Sequence, residues 1–346
     1  MSKSANAVLA RVRAMYGKRL TATDYANLLS CKNTDEIAAY LKSKTAYGDI
    51  FAPNAGTQIT AESIEFSLKK ELDNRMQKIC TFERMINDKF YEYYILKSDI
   101  LAIISAARTL VSHTALASAY VPSDFFKNRS SLNFDKLYNI HSAEELIEAT
   151  KHTRYYATAK KFIGADGLFD FSSVEVHLNR LYATTAKEMA KSFPKGARAE
   201  LATLVDIEID RLNIENIYRL KKLGMSKEDI FAKLIFEHGT ISKSKLLALL
   251  DAKSDYDYIS IFGKTKLGKG FTSKDFIYPE GVFTANMYAI NKRYLRFSSN
   301  PDIAVITYMN LLKTEIENIT HIVEGKRYGM QTEEIKTFLA GVNMLS

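Results

Sequence analysis

Leu246–Phe271 reads LLALLDAKSDYDYISIFGKTKLGKGF, and it is the third writing of one sentence. Tyr25–Phe51 reads YANLLSCKNTDEIAAYLKSKTAYGDIF, and Leu137–Phe162 reads LYNIHSAEELIEATKHTRYYATAKKF. Each copy has a paired apolar start, a polar break, a short helix with a capping residue, and a basic stretch ending in Phe. The starts fall at residues 25, 137 and 246, so three copies span nearly all of the 346 residues. A second string is written twice. Ile214-Glu215-Asn216-Ile217 precedes Lys221-Lys222-Leu223-Gly224-Met225-Ser226, and Ile316-Glu317-Asn318-Ile319 precedes Lys326-Arg327-Tyr328-Gly329-Met330-Gln331. Repetition at fixed spacing is a statement about architecture, and a chain copied in threes reads as a ring, socket or scaffold.

Composition points to helix. Apolar residues make up 47%, enough to fill cores, while 5 Pro and 15 Gly are too few for a turn-rich β chain. With no Trp, 20 Tyr and 19 Phe supply the large side chains. The length predicts two or three domains, with repeat boundaries at 1–97, 98–200 and 201–346, near Pro194-Lys195-Gly196 for the second. A formal charge of +8 favours acidic partners without choosing among them. Cys31 and Cys80 have no metal-site or framework spacing, which suits a reducing compartment. The start, MSKSANAVLARVRAMYGKRL, lacks the apolar core of a signal peptide. The most apolar stretch, Ile100–Val121, is interrupted by Arg108 and His113 and followed by Pro122, so no transmembrane segment is expected.

A long helix is expected after each block. In Ala61–Tyr94, Ile64, Leu68, Leu72, Met76, Ile79, Phe82, Ile86, Phe90 and Tyr93 recur at three- and four-residue spacing. One helix of that length would reach about 50 Å. Phe171–Ser192 carries a stripe of Val174, Leu178, Leu181, Tyr182 and Met189. Asn300 can cap and Pro301 can open a third, with Ile303, Ile306, Met309, Leu312, Ile316, Ile319 and Val323 on its stripe. Short helices should begin at Asn33-Thr34-Asp35-Glu36, Ser142-Ala143-Glu144-Glu145 and Ser226-Lys227-Glu228-Asp229, where a capping oxygen precedes a carboxylate by three residues. Gly17, Gly224 and Gly329 mark helix ends.

Catalytic patterns are scarce. Gly263-Lys264-Thr265-Lys266-Leu267-Gly268-Lys269-Gly270 matches G-x-x-x-x-G-K, and Tyr258–Phe262 can pass for the preceding strand. It ends in Gly where a phosphate loop places Ser or Thr on Mg²⁺, and it occupies the repeat position of Lys42–Tyr47, which has no such loop. Glu144-Glu145, Glu228-Asp229 and Glu333-Glu334 sit in helix first turns, where they complement the dipole; neighbouring helical residues diverge by about 100° and do not converge on one substrate. The histidines, at 113, 141, 152, 177, 238 and 321, show no ligand spacing. No enzyme, cofactor or metal is expected. Lys151–Lys161, KHTRYYATAKK, interleaves cations with tyrosines that could stack on bases. It keeps open a second reading, a basic helical nucleic-acid-binding scaffold.

Ala10-Arg11-Val12-Arg13-Ala14-Met15, the DYANLL start at Asp24, Glu36-Ile37 with Tyr40-Leu41, Thr45 and Tyr47, and the closing Glu317-Asn318-Ile319, Glu324-Gly325-Lys326-Arg327-Tyr328-Gly329-Met330 and Glu333-Glu334-Ile335 together resemble one family. It is the central-stalk C subunit of V/A-type rotary ATPases and ATP synthases, related to subunit d of the eukaryotic V-ATPase. The resemblance runs from about residue 6 to residue 341. It implies an all-α funnel of three similar helical repeats about a pseudo-threefold axis. It also implies a non-catalytic rotor part between the shaft subunits D and F and the membrane rotor ring, peripheral at the cytoplasmic face, with no nucleic-acid partner. Arg11, Arg13, Arg219, Lys221, Lys326 and Arg327 are the expected partner contacts. Two departures stand out: Asp99-Ile100-Leu101-Ala102 replaces the Ile-Glu-Asn-Ile string in the first copy, and the last copy carries three extra residues after that string.

Overall fold

A computed structural model describes residues 3–50, 59–83, 89–112, 122, 124–164, 167–268 and 279–342. The chain forms two compact units, Met1–Asn87 with Phe262–Ser346, and Asp88–Ile261. The first unit opens with α1 (Lys3–Gly17), α2 (Ala22–Ser30), α3 (Thr34–Lys44) and α4 (Ala61–Glu83). The second holds α5 (Lys89–Ser112), α6 (Asp124–Lys127), α7 (Phe134–Leu137), α8 (Ala143–Ala149), α9 (Tyr156–Ala159), α10 (Phe171–Ala190), α11 (Lys195–Lys222), α12 (Lys227–Ala232) and α13 (Lys243–Asp251). Helix α14 (Asp255–Gly263) ends at the unit boundary, and α15 (Pro279–Phe297), α16 (Pro301–Arg327) and α17 (Thr332–Thr337) complete the first unit. Among the described residues the only extended pairing is an isolated bridge between Ile163 and Phe169, so the all-α expectation holds.

The expected repeat boundaries fall inside helices. Positions 97–98 lie within α5 and 200–201 within α11. Ala61–Tyr94, expected as one helix, is described as α4 to Glu83 and as the start of α5 from Lys89; residues 84–88 lie outside the described residues.

Helix α16 is the axis of the first unit. Asn300 Oδ1 accepts from Asp302 N–H at 3.0 Å and Pro301 takes the first helical position, as its sequence required. The expected stripe is buried, but so are Ala304, Val305, Tyr308 and Leu311 on other faces. A helix apolar nearly all round must be enclosed, and α1, α3, α4, α15 and α17 all pack on it. Each fully buried Leu or Ile contributes about 1.5–3 kcal/mol. In the second unit, α10 lies against both α5 and α11. Its buried side continues from Val174, Leu178 and Tyr182 into Ala183, Ala186 and Ala190.

The three blocks share their local chemistry. Thr21, Asn133 and Ser242 cap the first short helix of each by accepting from the N–H groups of Asp24, Lys136 and Lys245. Asn33, Ser142 and Ser254 cap the second by accepting from Glu36, Glu145 and Asp257 at 3.0, 3.2 and 3.1 Å. Glu36 and Glu145 return the favour to the N–H groups of Lys32 and His141, at 2.8 and 2.7 Å. A threonine then turns the chain. Thr45, Thr153 and Thr265 donate to the carbonyls of Leu41, Thr150 and Phe262 and accept from the N–H groups of Tyr47, Tyr155 and Gly268.

The long helices α11 and α16 also carry a shared device, in a different alignment from the one the sequence suggested. Asn213 donates to the carbonyl of Ile235 and accepts from its N–H, both at 2.8 Å. Asn318 does the same to Ala340, at 2.9 and 2.8 Å. Each clamp reaches a residue 22 positions on, and each helix ends at a glycine of positive φ, Gly224 at 73° and Gly329 at 69°. Asn213, not Asn216, is therefore the partner of Asn318. Asn216 is only half-buried and accepts from Arg219 at 3.2 Å. Aligned on the clamps, the last copy has no three-residue insertion; the matching letters had drawn the alignment onto a partly exposed asparagine.

Candidate functional site

A tyrosine of each block is fastened to a long helix. In the first unit Tyr47 O–H donates to Glu315 Oε1 at 2.6 Å and Leu20 N–H donates to Oε2 at 2.8 Å. In the second unit Tyr155 O–H donates to Asp99 Oδ2 at 2.9 Å, and Tyr258 O–H donates to the Ile214 carbonyl at 2.9 Å. Asp210, three residues before Asn213 as Glu315 is before Asn318, accepts from the N–H groups of Thr240 and Ile241. Burial pushes all three carboxyls above their ordinary range, against the hydrogen bonds that favour ionisation; Asp99 is pushed up to about 6. Arg75 on α4 lies beside the first joint, bound to Glu71 at 2.7 Å and to the Ala46 carbonyl at 3.3 Å, with its guanidinium over the Tyr47 ring.

The expected contact residues divide by what they already hold. Arg13 donates to the carbonyls of Leu295 and Ser298 at 3.0 and 2.8 Å, closing the end of α15. Lys221 caps α13 through the carbonyls of Leu250 and Ala252 at 2.8 and 2.5 Å; burial, then Lys227, lowers its pKa. Lys326 is half-buried and reaches Thr332 at 3.4 Å. Exposed Arg219 binds Asn216, with Glu175 at 3.9 Å. Exposed Arg327 pairs with Glu62 at 2.7 Å and Glu324 at 3.3 Å. Exposed Arg11 borders a groove with Asn74, Gln77, Lys78 and Thr81. Arg219 and Lys221 lie in the second unit, and Arg11, Arg13, Lys326 and Arg327 in the first.

A family model described as ATP synthase (C/AC39) subunit matches residues 8–338. This chain belongs to that family. Similar C subunits of A-type ATP synthases occur in archaea. The one from Methanosarcina mazei is 25% identical over 340 residues, covering 94% of this chain and 90% of its own. Those of Archaeoglobus fulgidus and Halobacterium salinarum are 22% and 23% identical, over 95% and 96% of this chain and 94% and 96% of theirs. The resemblance read from the repeated strings is thus a family membership across nearly the whole length.

Elsewhere in the chain the motifs with catalytic or binding spacing take ordinary structural forms. Tyr258–Phe262 belongs to α14 and is not a strand, because Ser254 caps a helix there; a phosphate loop needs the strand. Gly268 is required instead by the Phe262 carbonyl oxygen, which occupies the place a Cβ would take. Lys269 and Gly270 lie outside the described residues. Tyr155, offered as a base-stacking ring, is buried on Asp99. Glu145 and Asp229 act at helix starts, as their placement implied. No described helix is long and apolar enough to cross a membrane. The joint acids Asp99, Asp210 and Glu315 were missed. Their signal was present: Glu315 interrupts the α16 stripe between Leu312 and Ile316, where a charge has to be held by something.

Proposed function

We propose that this C/AC39 subunit is the non-catalytic central-stalk part of a V/A-type rotary ATP synthase or ATPase. It couples the D and F shaft of the soluble head to the membrane rotor ring, as a peripheral component at the cytoplasmic face. Its three helical repeats, at 1–97, 98–200 and 201–346, would form a funnel about a pseudo-threefold axis that seats the shaft. The observation that carries this reading is the family match over residues 8–338, which takes in every repeated block. The buried joints add a physical reason. A torque-bearing part must resist deformation, and close-packed helices locked by satisfied polar contacts do so.

Arg11, Arg13, Arg219, Lys221, Lys326 and Arg327 remain the proposed partner contacts. Arg11, Arg219 and Arg327 are the ones to reverse, since Arg13 and Lys221 are also holding helix ends. The purified chain should form a stoichiometric complex with a D–F heterodimer in size-exclusion chromatography. Arg11→Glu, Arg219→Glu and Arg327→Glu combined should weaken that complex at least tenfold with an unchanged unfolding midpoint. Rim charges act through electrostatic complementarity more than through folding. A wild-type chain that ignores the heterodimer at micromolar concentration would overturn the reading.

A further inference from the structure

The first unit holds a small, partly open cavity lined by Tyr16, Arg19, Arg75, Tyr288, Tyr308 and Glu315 among others, with a volume of about 20 Å³. That is room for about one water molecule. Two polar atoms at this cavity, Tyr308 Oη and Arg19 Nε, are buried with no hydrogen-bond partner. Tyr308 is only 2% exposed. Burial raises the pKa of its phenol, and Arg75 holds it down through its charge and a side-chain hydrogen-bond contact, but that contact falls short of a full hydrogen bond. Leaving two such groups unsatisfied is costly, which is why buried polar atoms in native proteins nearly always have partners.

The other lining groups can complete a water's set. Each Glu315 oxygen already accepts one bond, from Tyr47 and from Leu20, and a carboxylate oxygen has a second acceptor site. The Tyr16 and Tyr288 hydroxyls pair at 3.0 Å, which leaves acceptor capacity there too. Donors on one side and acceptors on the other suit a molecule that both accepts and donates. A halide could take only the donors and would face the Glu315 carboxyl. We propose that this cavity is a site for one ordered water, which accepts from Arg19 and Tyr308 and donates to Glu315. It would add Arg19 and Tyr308 to the Glu315 joint, beside the Leu20 N–H and the Tyr47 hydroxyl. This does not depend on the proposed function.

The sign of one substitution tests it. A hydroxyl that truly lacks a partner is removed at no loss, so Tyr308→Phe would leave stability unchanged or raised. A water-bridged hydroxyl loses a bond, and Tyr308→Phe then raises the unfolding equilibrium constant about fivefold or more. Because Arg19 and Tyr308 share no direct hydrogen bond, the Arg19→Met and Tyr308→Phe effects should be non-additive only through the water, and the double variant should cost less than the sum. A crystal structure at better than 2 Å, with a parallel bromide soak, should show one peak with oxygen-like height and no anomalous signal. Additive effects with an unaltered or improved Tyr308→Phe variant, a cavity without a peak, or a bromide signal there would each overturn the proposal.

Discussion

Asp99 lies on α5 among Ile100, Ala102 and Ile103, and it takes the Tyr155 hydroxyl in an almost fully buried place. Burial raises its pKa to about 6 from 3.8, despite the hydrogen bonds from Ser130 and Tyr155. The folded state therefore keeps a proton between those values that the unfolded chain has released. Stability from this group is full below the unfolded value and is lost as pH rises through the folded one. Wild type should lose up to about 3 kcal/mol on this account between pH 4 and pH 7. Asp99→Asn still accepts from Tyr155 and has no charge to bury, so its advantage over wild type should grow with pH. Urea midpoints of both proteins across that range test it; a constant difference would mean that the carboxyl does not titrate there. Such residues are hard to read from sequence because an acid in an apolar run looks like a fault in the stripe. Its meaning depends on a tyrosine 56 positions away. Asn216 was matched to Asn318 for a related reason: the surrounding letters repeat there, while the buried asparagine is Asn213.

Short helices were legible because their causes are local. A capping oxygen and a carboxylate three residues on act within one turn, and Asn33, Ser142 and Ser226 all cap as their spacing required. Tyr258–Phe262 was less legible because five mostly apolar residues fit a strand or a buried helix equally well; Ser254, four positions earlier, decides it. The glycines at element ends differ in kind, and that difference is measurable. Gly329 has φ 69° with open space around its missing Cβ. Gly329→Ala should cost about 1 kcal/mol, the price of a left-handed conformation alone. Gly268 meets main chain, with the Phe262 carbonyl carbon at 2.5 Å from an added Cβ, so backbone has to move. Gly268→Ala should cost about 3 kcal/mol or more, in the range of overpacked cores. Chemical denaturation of the two variants orders them; equal losses would mean that the turn after α14 yields readily.

At the scale of the whole molecule, the likeness of the three blocks was the most legible feature, because each has the same pair of capped helices and the same turning threonine. How the copies are shared between compact units was not legible, since that depends on contacts between residues nearly 300 positions apart. In the second unit α13 packs on α12; in the first, α2 packs on α17. The N-terminal block thus serves α16 and α17 as the third block serves α11 and α12. Leu20 and Tyr47 bind Glu315, the Asn318 side chain donates to Tyr25 at 3.3 Å, and Arg13 closes α15. These contacts, with the packing of α1 on α16, make the opening segment an integral part of the unit built by the closing one. Its attachment should survive a cut in the chain. Co-expressed residues 1–54 and 55–346 should purify together as a one-to-one complex. Glu315→Ala strands a buried N–H and a buried hydroxyl, each worth about 1–3 kcal/mol, and should weaken that complex at least tenfold. Glu315→Gln, which keeps an acceptor, should weaken it less. If residues 55–346 instead remain soluble and monomeric with the short fragment present, the N-terminal block is an accessory to α16 and not a component of its fold.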